Sequence, residues 1–265
     1  MLFRSGAKLI EHAGTYYLMY SANFFGSRDY SVGYATSSNP LGPFVKYENN
    51  PVLFPRSDEV SGSGHNSITV SPDGSELFIV YHTHTIPIIG GGNRQMSLDR
   101  MGFRKDGTLF VNGPTLSVQP PPSGLNGLRN LADEAEISVS SYSLSTYADV
   151  ITDGDTGFSL QKEHAWSPAE FQSTEWIEFE WNEKKSISAI FVYGLPKSND
   201  SPSQFAVFVD GRRIEEEFSI PYMYGEAATL YFKPTEIGKI RIVFNKEQNS
   251  ASVPAIAEVV IIGKD

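Results

Sequence analysis

Short runs of alternating apolar and polar residues, each bounded by turn residues, are the feature that most constrains the fold of this chain. Helical periodicity is nearly absent. Turn sequences such as Ala13-Gly14 and Asp106-Gly107 separate the runs. The runs themselves predict β-strands at residues 15–21, 30–36, 67–70, 77–82 and 95–103. The pattern therefore predicts an all-β protein.

A proline-rich stretch divides the chain. Residues 113–127 read GPTLSVQPPPSGLNG, and three consecutive prolines cannot lie in a central strand. They favour an extended connection. Further alternating runs follow with the spacing of a β-sandwich, at residues 177–181, 187–193, 205–209, 240–244 and 259–262. We therefore expect a first domain at residues 1–114, a linker at 115–128 and a second domain at 129–265.

Composition narrows the range of partners. The chain has 21 basic and 31 acidic residues and a net charge of −10, whereas nucleic acids and anionic membranes are bound through clustered Lys and Arg. A neutral ligand fits better. There is no cysteine, which excludes disulfides and thiolate metal sites. No apolar run of about 18 residues predicts a membrane span, and the first residues lack the basic start and apolar core of a signal peptide.

The first domain carries motifs of a known enzyme family. Residues 61–100 contain SGSGHNS, PDGSELFIVYHTHT and GGNRQMSLDRM, and LFRSGAKLIEHAGTYYLMYSANF lies upstream. These segments resemble the later blades of family-43 glycoside hydrolases, five-bladed β-propellers that cleave arabinose- and xylose-containing glycans. A blade takes about 40 to 50 residues, so residues 1–114 have room for about two to three. The resemblance implies a partial propeller, and its open faces predict an upstream partner, self-association or poor solubility.

The second domain resembles another family. NLADEAEISVSS, VITDGDTGF, EWIEFEW, SISAIFVYG and AIAEVVIIG follow in order from residue 130. They resemble the discoidin-like (coagulation factor 5/8 C-type) jelly-roll β-sandwich. In sugar-active enzymes this domain is commonly a carbohydrate-binding module, and the resemblance implies that role here.

The family-43 resemblance also bears on catalysis. That family inverts the anomeric centre, which requires one carboxylic acid and one carboxylate base. Its base and a third, tuning Asp come from earlier blades, and its acid is the Glu that opens a Glu-Gly-Ala motif. Ser5 stands at that position, and a hydroxyl cannot act as the general acid. The nearest acid, Glu11, is best explained as a solvated turn residue. We expect no retained catalytic carboxylate.

Other members of the family-43 site have counterparts here. The resemblance places His65 in the central channel, near the substrate or a bound metal ion, and gives Asn66 the role of positioning His65 or its loop. Arg94 matches an arginine that orients a carboxylate or a sugar hydroxyl through its planar fork. His82 and His84 lie two apart on one predicted strand, so they share a face and either bind a cation or line the channel.

In the second domain, residues 153–156 (DGDT) resemble the discoidin-type calcium loop, which a Glu near the C-terminus completes. Asp153, Thr156 and Glu258 would be the ligands of a structural Ca²⁺, since oxygen donors suit that ion. A plain Asp-Gly turn is the alternative. Trp166 and Trp176 are expected in the sandwich core, and the better exposed candidates for sugar stacking are Tyr222 and Tyr224.

Together these observations predict a glycosidase of the family-43 type that hydrolyses O-glycosyl bonds, here truncated and inactive alone. The alternatives are a carbohydrate-binding protein that acts through its sandwich, and half of a split enzyme. The expected ligand is a plant-type polysaccharide or oligosaccharide, with no organic cofactor, nucleic acid or membrane involved. Full-length members of the family are often secreted or periplasmic.

Overall fold

The computed structural model describes residues 4–143, 148–158, 164–170, 173–195, 204–221, 223, 225–245 and 253–264, with the backbone alone at residue 4 and at 215–217. It divides into two compact units, Met1–Thr115 and Leu116–Asp265. The described residues form β-strands and three short 3₁₀ helices, which confirms the all-β prediction. Within them, no helix is long and apolar enough to cross a membrane.

The first unit consists of two four-stranded antiparallel sheets, each a meander in chain order. The first sheet contains β1 (Arg4–His12), β2 (Thr15–Ala22), β3 (Ser31–Ser37) and β4 (Val45–Lys46). The second contains β5 (Gly64–Val70), β6 (Leu77–His84), β7 (Arg94–Phe103) and β8 (Leu109–Val111). Four-stranded meanders are the blades of β-propellers. The unit is therefore a partial propeller with two blades, within the predicted two to three.

One apolar core joins the two blades. Alternate residues of the strands point into it, and Met19, Val32, Leu53 and Ile79 are completely buried there. The Tyr17 hydroxyl donates a hydrogen bond of 2.6 Å to the carbonyl of Gly107, in the turn between β7 and β8. The two blades therefore form a single packed body.

The second unit is a β-sandwich built around two very long strands. Its strands are β9 (Arg129–Asn130), β10 (Glu136–Val139), β11 (Thr174–Gly194), β12 (Gln204–Val209), β13 (Arg212–Ser219), β14 (Ala227–Asn245) and β15 (Ile256–Lys264). They pair in the order β13-β12-β14-β11-β15-β9, and β10 also pairs with β11. A register shift between Glu180 and Lys185 divides β11, whose first half pairs with β10 and second half with β15. Both halves contribute side chains to one core.

Residues 116–128, nearly all of the expected linker, are part of the second unit. Ser117 Oγ and Gln119 Nε2 donate to the carbonyl of Gly225 at 3.1 and 2.9 Å. The hydroxyl of Tyr193 in turn donates to Gln119 Oε1 at 3.1 Å. The boundary between the compact units falls between Thr115 and Leu116. The proline-rich stretch is therefore attached to the sandwich by its polar side chains.

The tryptophans differ in their environment. Trp166 is completely buried, and its indole N–H donates 2.9 Å to the carbonyl of Ser141, as expected of a core residue. Trp176 is only half-buried, with the guanidinium carbon of Arg241 4.3 Å from its ring centroid. Tyr222 and Tyr224 lie outside the described residues.

Candidate functional site

The first residues of β1 and β5 meet in the first unit. Gly6 has a φ of +61°, and a Cβ added there would lie 3.1 Å from the Cα of His65. The N–H of His65 donates 2.7 Å to Ser21 Oγ, and Ser21 is the β2 partner of Ser5. Folding therefore brings together Ser5 and His65, which are distant in sequence.

Tyr30 is the buried member of this cluster. Its hydroxyl lies 3.0 Å from Ser5 Oγ, in a hydrogen bond that either group can donate. Its ring is almost completely buried, and a Cβ on Gly64 would lie only 2.2 Å from Tyr30 Cε1. Gly64 is thus required for the ring to fit. Tyr30 also stacks on His82, with ring centroids 5.6 Å apart and planes at 20°.

His65 has a backbone that non-glycine residues seldom adopt. Its φ is +55°, in the left-handed region, and it follows Gly62, whose φ is +69°. Such conformations cost of the order of 1–3 kcal/mol and cluster at functional sites. The side chain is exposed, with its ring centroid 6.4 Å from that of His82. The backbone thus presents the imidazole of His65 to solvent beside Ser5.

His82 is a half-buried histidine without a hydrogen-bond partner in the described structure for either ring nitrogen. Burial above all, and then the charges of Arg94, His65 and His84, lower the pKa of His82 to about 4. The Gly62 backbone weakly opposes this shift but makes no well-formed hydrogen bond to the ring. His82 is therefore neutral at pH 7 and offers one donor and one acceptor.

Two more buried polar atoms in this segment have no hydrogen-bond partner within the described chain, Ser63 Oγ and Asn66 Oδ1. The Asn66 amide nitrogen contacts Met19 Sδ at 3.8 Å. Its side chain thus faces the blade core rather than the His65 ring. Buried polar groups normally find a partner, so these atoms indicate a place for water or a ligand hydroxyl.

Arg94 is exposed at the start of β7. Its guanidinium carbon lies 4.8 Å from the ring centroid of Phe25, and its charge contributes to the low pKa of His82. No ion pair of the described residues involves Arg94. Its donor fork is thus available to a ligand.

His84 differs from His82 because both of its ring nitrogens are engaged. It is completely buried, and Nε2 donates 2.9 Å to the carbonyl of Phe25. Nδ1 lies 2.9 Å from Ser61 Oγ, which itself donates 2.8 Å to the carbonyl of Pro87. Both ring nitrogens of His84 thus face partners within the protein, and its role in the structure is to connect loops.

Three carboxylates of the first unit have partners away from this cluster. Glu11 accepts the Gly14 N–H at 2.6 Å and closes the turn between β1 and β2. Asp99 is buried and accepts the Tyr81 hydroxyl at 2.6 Å, with Thr115 as a further donor. Glu76 pairs with Arg100 at 2.8 Å. In the described part of the unit, no hydrogen bond or ion pair links a carboxylate to the cluster around Ser5 and His65.

The sequence did not single out Tyr30 as a site residue. It begins an alternating run, and aromatic residues in such runs usually belong to a blade core. Its hydroxyl reaches Ser5 across 25 residues of sequence. Only its position at the end of the loop between β2 and β3, next to several polar residues, could have indicated a site role for Tyr30.

In the second unit, the loop at residues 153–157 lies against β15. Asp153 Oδ1 accepts the N–H of Asp155 at 2.9 Å, and Asp155 Oδ1 accepts the N–H of Gly157 at 3.0 Å. Glu258 is almost completely buried and accepts the Gly154 N–H at 2.9 Å. Burial first, and then the charge of Asp153, raise its pKa well above the usual range.

The donor types of this loop suit Ca²⁺, and Thr156 is also buried there. However, the described residues include no group of three or more His, Cys, Asp or Glu side chains arranged to hold a metal ion. The arrangement by itself is that of an Asx turn. Backbone or hydroxyl oxygens would have to complete the shell of an ion at this position.

Two families match the two parts of the chain. Residues 1–109 match "Glycosyl hydrolases family 43". Residues 130–262 match "Domain of unknown function (DUF7402)".

Curated relatives match the chain over less than half of its length. It is 32% identical over 122 residues to the beta-D-galactofuranosidase xynD of Aspergillus niger, covering 42% of this chain and 35% of the relative. It is 28% identical over 133 residues to the arabinoxylan arabinofuranohydrolase of Paenibacillus polymyxa, covering 46% of this chain and 19% of that relative. The chain thus spans about a third or less of the length of these relatives.

Solved structures resemble the two parts separately. A thermostable family-43 glycoside hydrolase is 54% identical, with a TM-score of 0.46, over 47% of this chain and 40% of that structure. The family 32 carbohydrate-binding module of C. perfringens NanJ, in complex with galactose, is 14% identical with a TM-score of 0.40, over 51% of this chain and 98% of that structure. Residues 1–109 are thus similar to glycosyl hydrolases family 43, and through residues 130–262 the chain belongs to the family with the domain of unknown function DUF7402.

Proposed function

We propose that the first unit binds a neutral glycan at the cluster formed by Ser5, Tyr30, His65 and His82, and that this chain alone does not hydrolyse it. The observation that carries the proposal is the hydrogen bond between Ser5 and Tyr30. Two hydroxyls lie where the family-43 resemblance implies a protonated carboxylic acid. Hydroxyls form hydrogen bonds with sugar hydroxyls, but they cannot replace a carboxylic acid as the general acid.

The groups around this pair suit a polyhydroxylated ligand. Neutral His82 has one donor and one acceptor without partners in the described structure. The exposed imidazole of His65 and the fork of Arg94 add further hydrogen-bonding groups. A sugar residue presents several hydroxyls, each both donor and acceptor, and it carries no charge. This chemistry agrees with the net charge of −10, which disfavours anionic ligands.

Hydrolysis with inversion requires an acid and a base on opposite sides of the sugar. Glu11, Glu76 and Asp99 have other partners. We therefore expect the family-43 activity to depend on carboxylates other than these three, and this chain to be inactive alone.

Turnover and binding should be measured on the same purified chain. We expect no detectable hydrolysis of p-nitrophenyl α-L-arabinofuranoside or β-D-xyloside. We also expect arabinotriose or xylotriose to shift NMR signals of the first unit and His65→Ala to weaken this binding. Hydrolysis by the chain that His65→Ala abolishes would contradict the proposal. So would the absence of any sugar-induced shift in the first unit.

A second candidate places glycan binding in the sandwich. It is favoured by the covalent attachment of this unit to a family-43 segment. Affinity electrophoresis against arabinan, xylan and galactan tests this role, and unchanged mobility on all three would reject it. In a third arrangement an upstream product supplies missing blades, as in a split enzyme. That arrangement requires the co-expressed parts to copurify.

We also propose a structural Ca²⁺ held by Asp153, Thr156 and Glu258. The buried carboxylate of Glu258 supports it: burial first, and then the charges of Asp153 and Asp155, raise its pKa, and a cation would compensate these charges. We expect CaCl₂ to raise the unfolding temperature of the second unit relative to EGTA, and Glu258→Gln to remove this difference. The rise should be larger at pH 7.5 than at pH 5, where protons replace the ion. Equal unfolding temperatures in CaCl₂ and EGTA at pH 7.5 would refute the ion.

A further inference from the structure

We propose that Phe24, Phe25 and Arg94 form a platform for the ring of a second glycan residue, beside the cluster of Ser5 and His65, and that His84 is the positioning residue that holds the platform in place. The platform extends the glycan site proposed above and therefore rests on it. Phe24 and Phe25 are 55% and 45% exposed, although both are large apolar side chains. Their ring centroids are 4.6 Å apart at 49°, so they form one continuous aromatic surface.

Arg94 connects this surface with the proposed glycan site. Its guanidinium carbon lies 4.8 Å from the centroid of the Phe25 ring, and its charge acts on His82. His82 in turn stacks on Tyr30, whose hydroxyl bonds Ser5. A glycan that occupies the cluster with one residue can therefore reach the platform with the next.

A buried histidine, His84, holds the backbone of the platform in place. His84 donates to the carbonyl of Phe25 and connects through Ser61 to the carbonyl of Pro87. It thereby joins the loop between β2 and β3 to the loop between β6 and β7. The N–H of Gly91 also donates 3.1 Å to the carbonyl of Gly26, between the same two loops.

Tight packing keeps His84 in this position. A Cβ on Gly62 would lie 2.2 Å from the His84 ring, so no side chain fits there. Loops that carry recognition groups bind more tightly when they are fixed in advance, because less conformational entropy is lost on binding. The His84 hydrogen bonds provide such preorganisation for the aromatic pair.

The chemistry of the platform fits a sugar ring. The faces of the Phe rings carry partial negative charge and attract the polarised C–H groups on the apolar face of a sugar. The guanidinium beside Phe25 offers donors to the hydroxyls at the rim of that sugar. Ile88 and Ile89 are exposed in the neighbouring loop and add apolar surface around it.

Comparing the binding of a monosaccharide with that of a trisaccharide distinguishes the cluster of Ser5 and His65 from the platform. Binding of L-arabinose, arabinotriose and xylotriose to the full chain is followed through isoleucine methyl NMR signals, with Ile88 and Ile89 as reporters of the platform. We expect Phe25→Ala to weaken trisaccharide binding at least about fivefold, because the sugar then loses one of the two aromatic rings that cover its apolar face, and to leave monosaccharide binding unchanged. His65→Ala should weaken both. The matched control is Leu41→Ala, because Leu41 is 93% exposed in the same unit and distant in sequence from the platform.

His84→Asn tests the support. It should shift the Ile88 and Ile89 signals without sugar and weaken trisaccharide binding, while monosaccharide binding persists as proof that the unit is folded. Trisaccharide binding by Phe25→Ala that equals wild type, with His65→Ala weakened, would overturn the platform alone. If no sugar shifts any signal of the first unit, both the platform and the glycan site are wrong. Concentration-dependent shifts of Ile88 and Ile89 without sugar, abolished in Phe25→Ala, would instead make this surface a protein interface and overturn the proposal.

Discussion

Gly64→Ala should destabilise the first unit by displacing Tyr30. Gly64 has no left-handed φ, so the alanine backbone is tolerated, but its Cβ would lie 2.2 Å from Tyr30 Cε1. Tyr30 has little room to yield, since its ring is buried and stacked on His82. Overpacking of this kind costs about 1–3 kcal/mol, and losing the Ser5 hydrogen bond adds about 1 kcal/mol. We expect the free energy of unfolding to fall by about 2–4 kcal/mol.

Gly92→Ala is the matched control. It also lies outside the left-handed region, in the first unit, and a Cβ there meets nothing within 4 Å. The substitution should be neutral or stabilising by up to about 1 kcal/mol, because alanine restricts the unfolded chain. The pair therefore separates the packing clash from any general effect of replacing glycine.

Hydrogen exchange followed by mass spectrometry resolves the two units. All three tryptophans, Trp166, Trp176 and Trp181, lie in the second unit, so tryptophan fluorescence reports on that unit alone. Gly64→Ala should accelerate exchange in β2 and β6 at least about thirtyfold, equivalent to about 2 kcal/mol, with the fluorescence transition unchanged. If Gly64→Ala and Gly92→Ala show the same protection, the packing of Tyr30 against Gly64 does not limit stability and the reasoning fails.

Two further predictions concern buried polar groups of the first unit. Burial raises the pKa of Asp99 to about 6, from 3.8. The folded unit therefore holds a proton that the unfolded chain has lost, and its stability should fall by roughly 2 kcal/mol as pH rises from about 4 to 7. Urea titrations across this pH range measure the free energy of unfolding. Asp99→Asn should make this free energy nearly independent of pH. A wild-type stability that rises with pH would contradict the prediction. Tyr30→Phe should cost about 1 kcal/mol of stability and weaken sugar binding a few-fold by removing the bond to Ser5, whereas Tyr16→Phe should do neither. Calorimetry measures both effects, and equal affinities for the two variants would exclude Tyr30 from the site.

Much of the fold follows from local sequence pattern. Runs predicted at 15–21, 77–82 and 95–103 match β2, β6 and β7 closely, because alternation is a property of each strand by itself. β1 was not predicted, since its register shifts between Ser5 and Lys8, where Gly6 adopts a positive φ. The bulge breaks the period of two that the pattern requires.

The length of strand β11 could not be predicted from the sequence. The sequence indicates separate runs at 177–181 and 187–193, with charged residues between them. The structure joins them in one strand, because β14 pairs with both and absorbs the shift between Glu180 and Lys185. Whether two runs are one strand therefore depends on a partner strand that is distant in sequence.

The candidate site divides in the same way. His65 and Arg94 lie in recognisable motifs, so the sequence identified them. The contact of Ser5 with Tyr30 and the role of His84 under Phe25 arise only when separate loops meet. No short motif encodes such contacts, because each depends on the packing of residues 25 or more positions apart.

The position of β15 in the sheet has a consequence for how the protein folds during synthesis. β15 lies between β11 and β9, so a strand that the ribosome makes late occupies an interior place in the sandwich. The first unit consists of residues 1–115, and it has time to form while the rest is being made. The second unit has to wait, with the apolar faces of β11 and β14 exposed, until residues 256–264 leave the exit tunnel. The interval before β15 arrives is therefore when the nascent chain is most exposed to aggregation and to proteases.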